Sequence, residues 1–153
     1  MPLIDTSYFE RSIAVAQRGE EVQKELLESY IDALEPEFLE AVLGSFGATV
    51  VLPSNDAVSR MLTLRGFLKY AFARYVFYYH LRDSNETPTT SGKGAGKHAN
   101  ASRTSPDRNM CIAWNEMIAK LRKMYAYIRS SELYPEFVES DVTPFEYQNT
   151  WGI

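Results

Sequence analysis

The chain has 153 residues, of which 45% are apolar and 24% charged, proportions typical of one soluble globular domain and incompatible with a collagenous or wholly disordered chain. Its single cysteine, Cys111, excludes an intrachain disulfide and a cysteine-rich zinc site. The formal net charge of −4 is unevenly spread, because residues 1–56 carry −8, residues 57–130 carry +9 and residues 131–153 carry −5.

Segments of opposite charge allow two interpretations. Acidic and basic helices could pack side by side in one molecule and neutralise each other, or opposite faces could meet between copies of the chain and fix their orientation. A sequence pI near 5.2 argues against a dedicated duplex-binding protein, whose domain is usually strongly basic. No run of apolar residues approaches the length of a membrane span, and no signal sequence opens the chain, so we expect a cytoplasmic setting without a membrane partner.

The first half of the chain predicts helices separated by breakers. Ser7 and Glu10 have the spacing of a capping box, which favours a short helical turn from about Tyr8. From Glu20 to Leu34, apolar residues recur at helical spacing with acidic residues between them, which predicts an amphipathic helix with an acidic outer face. We expect a kink at Pro36, followed by a shorter helix that ends at Gly44.

The middle of the chain predicts one extended piece and one long apolar helix. Residues 45–56 contain a β-branched run, which favours a short strand or an extended linker. Residues 57–82 read as a helix with Gly66 as its weak point. Because apolar residues cover nearly its whole circumference, this helix should be enclosed, either as a central core helix or partly by a neighbouring subunit.

Residues 83–105 contain no large apolar side chain and predict a long exposed loop or an extended hairpin. Ser105 as N-cap and Pro106 at the first helical position then mark the start of a second long helix, over about 106–130. Residues 131–153 lack a sustained helical period but hold four large apolar side chains, which we expect to dock on this domain or on a partner. The predicted fold is therefore mainly α, a single domain over 1–153 built as a small helical bundle with two long helices, a polar loop between them (83–105) and an extended C-terminal arm (131–153).

No constellation of residues indicates catalysis, a metal site or a cofactor. His80 and His98 have no His, Cys or carboxylate nearby at metal-ligand spacing, and Cys111 has no obvious base, so we interpret Cys111 as a small buried side chain. The glycine-rich run at 92–97 departs from a phosphate-binding loop, since Ser91 replaces the first glycine and His98 follows Lys97. We therefore expect no enzymatic activity, no metal and no cofactor.

Four local features occur in one order along the chain. They are an opening Pro2-Leu-Ile-Asp-Thr-Ser-Tyr-Phe9, a segment Leu34-Glu-Pro-Glu-Phe-Leu-Glu-Ala-Val-Leu-Gly44, a tyrosine-rich helix ending Tyr78-Tyr-His-Leu-Arg82 with a Thr/Gly-rich loop that closes Ala99-Asn-Ala-Ser-Arg103, and Ala113-Trp-Asn-Glu-Met117. In these features the chain resembles the small helical neck proteins of tailed bacteriophages, the head–tail connector or adaptor rings, most of all those of crAss-like and related phages. The irregular residues 45–65 depart from the resemblance.

The resemblance implies a structural virion protein, assembled in the host cytoplasm. Commonly twelve copies of such a protein form a ring below the portal that joins it to the downstream tail proteins and surrounds the DNA channel, through which the genome passes without base-specific contacts. The resemblance implies no catalytic residues. The long loop and the apolar arm are the segments with the reach to contact a neighbour or the portal, and we predict interface residues there, namely Lys93, Lys97, Arg103, Phe145, Tyr147, Trp151 and Ile153.

The alternative function is a helical nucleic-acid-binding regulator that uses the basic 57–130 segment. Such a protein would place Lys93, Lys97, Arg103 and Arg108 on phosphates. It predicts steeply salt-dependent binding to short DNA, which a connector ring need not show.

Overall fold

A computed structural model describes residues 2–11, 20–51, 59–86 and 106–149. In these ranges the helices are α1 (Ser7–Arg11), α2 (Glu20–Leu43), α3 (Gly47–Val51), α4 (Ser59–Glu86) and α5 (Pro106–Ser131). Single 3₁₀ turns cover Gly44–Phe46 and Glu139–Asp141. The described residues contain no strand, so the predicted mainly α fold with two long helices is confirmed.

The helices α4 and α5 form an antiparallel pair at the centre of the fold. Arg74 near the middle of α4 pairs with Glu116 in the first half of α5, whereas the earlier Phe67 packs on the later Tyr127. Both helices bury a series of apolar side chains, and Phe38 of α2 closes one side of the pair by packing on Phe72 and Tyr75. The residues of α4 and α5 with the deepest burial are Leu64, Leu68, Ala71, Phe72, Ala73, Tyr75, Val76, Ala113, Met117, Ile118, Leu121 and Met124.

The helix predicted for residues 57–82 is present with different bounds, and it buries much of its surface in the domain while Leu62 and Tyr70 stay exposed. The helix α4 runs from Ser59 to Glu86 and passes through Gly66 without a break. A side chain at Gly66 would meet nothing within 4 Å, so the glycine weakens the helix without being needed to shape it. Because α4 continues to Glu86, the polar loop predicted for 83–105 begins later than expected, and residues 87–105 lie outside the described ranges.

Two predictions about residues 20–56 are corrected. We expected a helix, a kink at Pro36 and a second, shorter helix, but a single helix, α2, includes Pro36, because proline removes only one helical hydrogen bond and Phe38 and Val42 beyond it are buried in the core. The strand predicted after Gly44 is wrong for residues 47–51, which form α3. Burial of Phe46 and Val50 there outweighs the β preference of the β-branched run.

The N-terminal segment packs on the core and has a different cap from the one predicted. Leu3, Ile4 and Phe9 are buried, and the amide of Leu3 donates to Glu35 Oε2 of α2 at 2.8 Å. At the start of α1 the carboxylate of Asp5 accepts from the amide of Ser7 at 2.9 Å and also from its hydroxyl. Asp5, two residues before the predicted cap Ser7, therefore stabilises this helix end. No helix within the described ranges has the length and apolarity that crossing a membrane would require.

Candidate interaction surface

The C-terminal arm, residues 132–149, turns back after α5 and runs along it in the opposite direction. Thr143 donates its amide to Ala41 O of α2 at 2.8 Å, Glu146 O accepts from the indole of Trp114 at 2.9 Å, and Asn149 O lies 3.4 Å from Cys111 Sγ. The predicted arm is thus docked on its own domain as far as Asn149. Cys111, which we expected to be buried, is half-buried beneath it.

Asn115 holds the arm with both ends of its amide. Its Nδ2 donates to Gln148 O at 2.6 Å, and its Oδ1 accepts from Gln148 N at 2.8 Å. The side chain therefore satisfies both polar groups of one extended residue, as a neighbouring β-strand would. This explains part of the Ala113–Met117 motif, in which Trp114 and Asn115 bind the arm while Ala113 and Met117 are buried in the core.

Of the seven predicted interface residues, the structure describes two. Phe145 is half-buried, with its ring 5.5 Å from Trp114 and 6.4 Å from Tyr75, so its own domain already contacts much of its surface. Tyr147 is 47% exposed, and Arg122 stacks on its ring at 4.3 Å. The other five lie outside the described residues: Lys93, Lys97, Arg103, Trp151 and Ile153.

Further polar contacts attach the first half of the arm. Arg60 of α4 pairs with Glu136 at 3.1 Å and also donates to the carbonyl of Leu133, while Arg129 pairs with Glu139. These arginines lower the pKa of the Glu136 and Glu139 carboxyls through charged hydrogen bonds. The Tyr125 hydroxyl donates to Val42 O at 2.8 Å, and burial, assisted by the charge of Glu139, raises the pKa of that phenol.

A second cluster of polar groups joins α2 to the end of α4. The Tyr30 hydroxyl donates a hydrogen bond to Asp83 at 2.5 Å. This bond lowers the pKa of the Asp83 carboxyl. Burial, together with the bond to Asp83, raises the pKa of the Tyr30 hydroxyl to about 12. Next to it lies His80, which is buried with its ring 6.4 Å from that of Tyr30, and burial lowers its pKa. Within the described ranges no three His, Cys, Asp or Glu side chains are grouped so as to hold a metal ion.

The exposed face of α2 is acidic, and its carboxylates are in no ion pair among the described residues. The helix carries eight acidic residues and one basic residue, a net charge of −7, whereas α4 and α5 each carry five basic and two acidic residues, a net +3. The ion pairs among the described residues join Arg60 to Glu136, Arg74 to Glu116, Arg82 to Asp83 and Arg129 to Glu139. None of these four pairs uses a carboxylate of α2, although the acidic α2 packs against the basic α4 through Phe38, Phe72 and Tyr75.

Three of the α2 carboxylates form a stripe. Glu25, Glu28 and Asp32 are exposed, and their spacing of three and four residues places them on one side of the helix. We call these three residues the acidic stripe. Like charges this close repel one another, and a surface of opposite charge would relieve that repulsion.

No family model, curated protein or solved structure matches this chain.

Proposed function

We propose that this chain is a structural subunit of the neck of a tailed bacteriophage, with no catalytic role of its own. Copies of it associate head to tail into a closed ring that lies between the portal and the tail and surrounds the DNA channel. The ring is located in the virion and is assembled in the host cytoplasm. The order of the four sequence features and their resemblance to connector proteins support this assignment, and a ring of twelve copies is what the resemblance implies.

The single observation that carries self-association is the acidic stripe. A head-to-tail ring needs two different complementary surfaces on each copy. The stripe is one surface of strong negative charge, and exposed cations of α4 and α5 that lie in no ion pair among the described residues, such as Lys69 and Lys123, provide the opposite charge. Complementary charge of this kind sets the orientation in which two copies meet.

The arm and the long loop would make the remaining contacts. Tyr147 is exposed on the docked arm, and the chain continues beyond it to Trp151 and Ile153. In this proposal these aromatic and apolar residues anchor the portal or a neighbouring copy, and Lys93, Lys97 and Arg103 of the loop contact adjacent protein. DNA passes through the ring without base-specific contacts.

Native mass spectrometry and negative-stain images of the purified chain test the proposal. We expect a closed multimer that dissociates as salt is raised, because surface charge pairs are screened. The double variant Glu28→Lys/Asp32→Lys should form few rings. Its control, Glu132→Lys/Glu146→Lys, changes the net charge equally on exposed positions of the arm and should assemble more completely.

A different result would overturn the proposal. The proposal is overturned if the chain stays monomeric at every concentration and binds short duplex DNA with a steep salt dependence. That result would instead support the nucleic-acid-binding regulator described above as the alternative. Co-purification with the portal protein encoded by the same genome tests the position in the neck. Rings that fail to bind that portal would leave self-association intact and contradict the placement.

A further inference from the structure

A cleft of about 340 Å³ lies where α1 meets the α4–α5 pair. It is bounded by Tyr8 of α1 and by residues of both long helices. Its lining is completed by Tyr70, Ala73, Arg74, Glu116, Ala119 and Lys120. Two of these residues are alanines, and the small size of their side chains leaves space between the larger ones. We call this feature the tyrosine–lysine cleft.

The groups at the mouth of the cleft are aromatic and cationic. Tyr8 and Tyr70 meet edge to face with their ring centroids 5.9 Å apart, and Lys120 Nζ lies 5.2 Å from the centre of the Tyr70 ring. Tyr70 is 54% exposed, which is unusual for so large a ring on a helix whose other aromatic residues are mostly covered. Tyrosine is enriched at protein interfaces, so the exposed Tyr70 ring beside the cleft suits contact with a partner.

The one acidic residue of the cleft is already neutralised. Glu116 lies 2.8 Å from Arg74 across the two helices. Lys120 is therefore a positive charge that nothing in the cleft balances, and the exposed Lys69 and Lys123 nearby are in no ion pair among the described residues. The residues that line the cleft, Arg74, Glu116 and Lys120, thus carry a net positive charge, which suits a carboxylate-bearing partner.

We infer that the tyrosine–lysine cleft binds the acidic stripe of a second copy of this chain. The stripe carries three exposed carboxylates within about 10 Å along α2. Leu26, which is exposed next to the stripe, offers an apolar contact for the ring of Tyr70. The inference rests on the proposed ring and identifies the two surfaces that form its repeating contact.

Because the stripe and the cleft are different surfaces, each copy binds one neighbour through its stripe and the other neighbour through its cleft. Such a contact is heterologous, and it closes into a ring when the rotation between copies divides a full turn. The carboxylates would accept hydrogen bonds from Lys120 and the Tyr70 hydroxyl while the Tyr70 ring excludes water around them. Removal of either surface should therefore prevent growth beyond a single copy.

Cross-linking between two separately purified variants tests this contact directly. One carries Glu28→Cys, the other Lys120→Cys, and both carry Cys111→Ser so that no other thiol reacts. After mixing and treatment with a short bismaleimide, we expect a peptide that links position 28 of one copy to position 120 of the other. The control variant Glu40→Cys, exposed on the same helix but about 18 Å further along it, should give no such peptide with Lys120→Cys.

Two substitutions in the cleft give a second measurement. Tyr70→Ala and Lys120→Glu should each weaken association at least tenfold in sedimentation experiments, and Glu28→Lys should restore part of the loss in Lys120→Glu. Leu62→Ala and Arg108→Glu are their controls, because both positions are exposed on the same helices outside the cleft, and association should be unchanged. Circular dichroism checks that each variant keeps its helices.

The outcomes separate this inference from the proposed function. Rings that form without the 28–120 link, and that tolerate Tyr70→Ala, would overturn the inference and leave the proposed function standing. A chain that forms no multimer would overturn both. Binding of a labelled oligothymidylate that Tyr70→Ala abolishes, with multimers unchanged, would assign the cleft to single-stranded nucleic acid and overturn the inference as well.

Discussion

The α4–α5 pair and the C-terminal arm both contact Trp114 of α5, but they are held in place in different ways. The two helices bury apolar side chains against each other along most of their length. The arm buries only Tyr134 completely among its described residues and is held mainly by side chains of the helical body that bind its backbone, with Asn115 as the clearest example. The helical pair therefore depends on continuous packing, whereas the arm combines a few aromatic contacts, from Tyr134, Phe137 and Phe145, with hydrogen bonds, so the arm should open at a lower free energy than the pair.

The largest expected effect is the loss of a core ring. Phe72 is 0% exposed and packs on Phe38 at 5.1 Å, so Phe72→Ala should lower the free energy of unfolding by ~3–5 kcal/mol. Phe145→Ala in the arm should cost only ~1–2 kcal/mol, because part of that ring remains in water. Urea unfolding followed by circular dichroism measures both, and equal losses would contradict the contrast between the two regions.

The next effect concerns the point where α2 touches the arm. Gly44 has φ = 56°, and a Cβ there would lie 2.6 Å from Asp141 Cβ. Gly44→Ala should therefore cost ~2–3 kcal/mol, from the left-handed backbone and from displacement of the arm. Asp141→Gly in the same chain removes the colliding atom and should recover part of the loss. Full recovery would show that the backbone conformation contributes nothing.

Asn115→Ala tests the attachment of the arm itself. It leaves the amide and carbonyl of Gln148 without their partner, which should cost ~1–2 kcal/mol. Hydrogen exchange at the Gln148 amide should accelerate, while amides in the middle of α4 keep their protection. The exchange rate at Gln148 in Asn115→Asp, which retains the acceptor oxygen, should lie between those of Asn115→Ala and the unsubstituted chain. An unchanged rate in Asn115→Ala would refute this role of Asn115.

His80 in α4 gives the helical body a pH dependence. Burial holds its pKa below the ordinary value of 6.5, so the unfolded chain takes up a proton before the folded one does. The stability contributed by neutral His80 is present above pH 6.5 and is lost as the pH falls below it. Asp83 stays ionised in that window, because Tyr30 lowers its pKa. Unfolding at pH 7.5 and 5.5 should show a smaller decline in His80→Gln than in the unsubstituted chain.

The smallest effect is expected where α5 becomes the arm. Glu132 has φ = 53°, a left-handed conformation that glycine adopts without strain. Glu132→Gly should therefore raise the free energy of unfolding by ~0.5–1 kcal/mol, after the greater freedom of glycine in the unfolded chain is subtracted. Thermal unfolding measures the gain. A loss of stability would show that the Glu132 side chain has a role that its exposed position does not reveal.

The sequence predicted the helices well where a strong period agreed with its end signals. Ser105 and Pro106 located the start of α5, and Gly44 located the end of α2, because caps and breakers act within one turn. It failed at residues 47–51, where the burial of Val50 decided the conformation, and at Pro36, where packing on both sides kept one helix. Phe145 and Tyr147 were selected for their apolar character and lie on the domain's own arm beside Trp114 and Arg122, whereas Asn115, which binds that arm, was not singled out, since it does not stand out by type or spacing.

Composition and periodicity by themselves determined that this chain is helical, that its charge is divided between acidic and basic segments, and that its C-terminal residues have no regular structure of their own. These properties depend on residues that are near one another along the chain. Only the tertiary structure decided that the arm lies antiparallel on α5, that the carboxylates of α2 find no cation within the described ranges, and that Tyr8, Tyr70 and Lys120 form one cleft. These properties depend on residues far apart in sequence, which the packing of the apolar core and, for the arm, hydrogen bonds from Trp114 and Asn115 bring together.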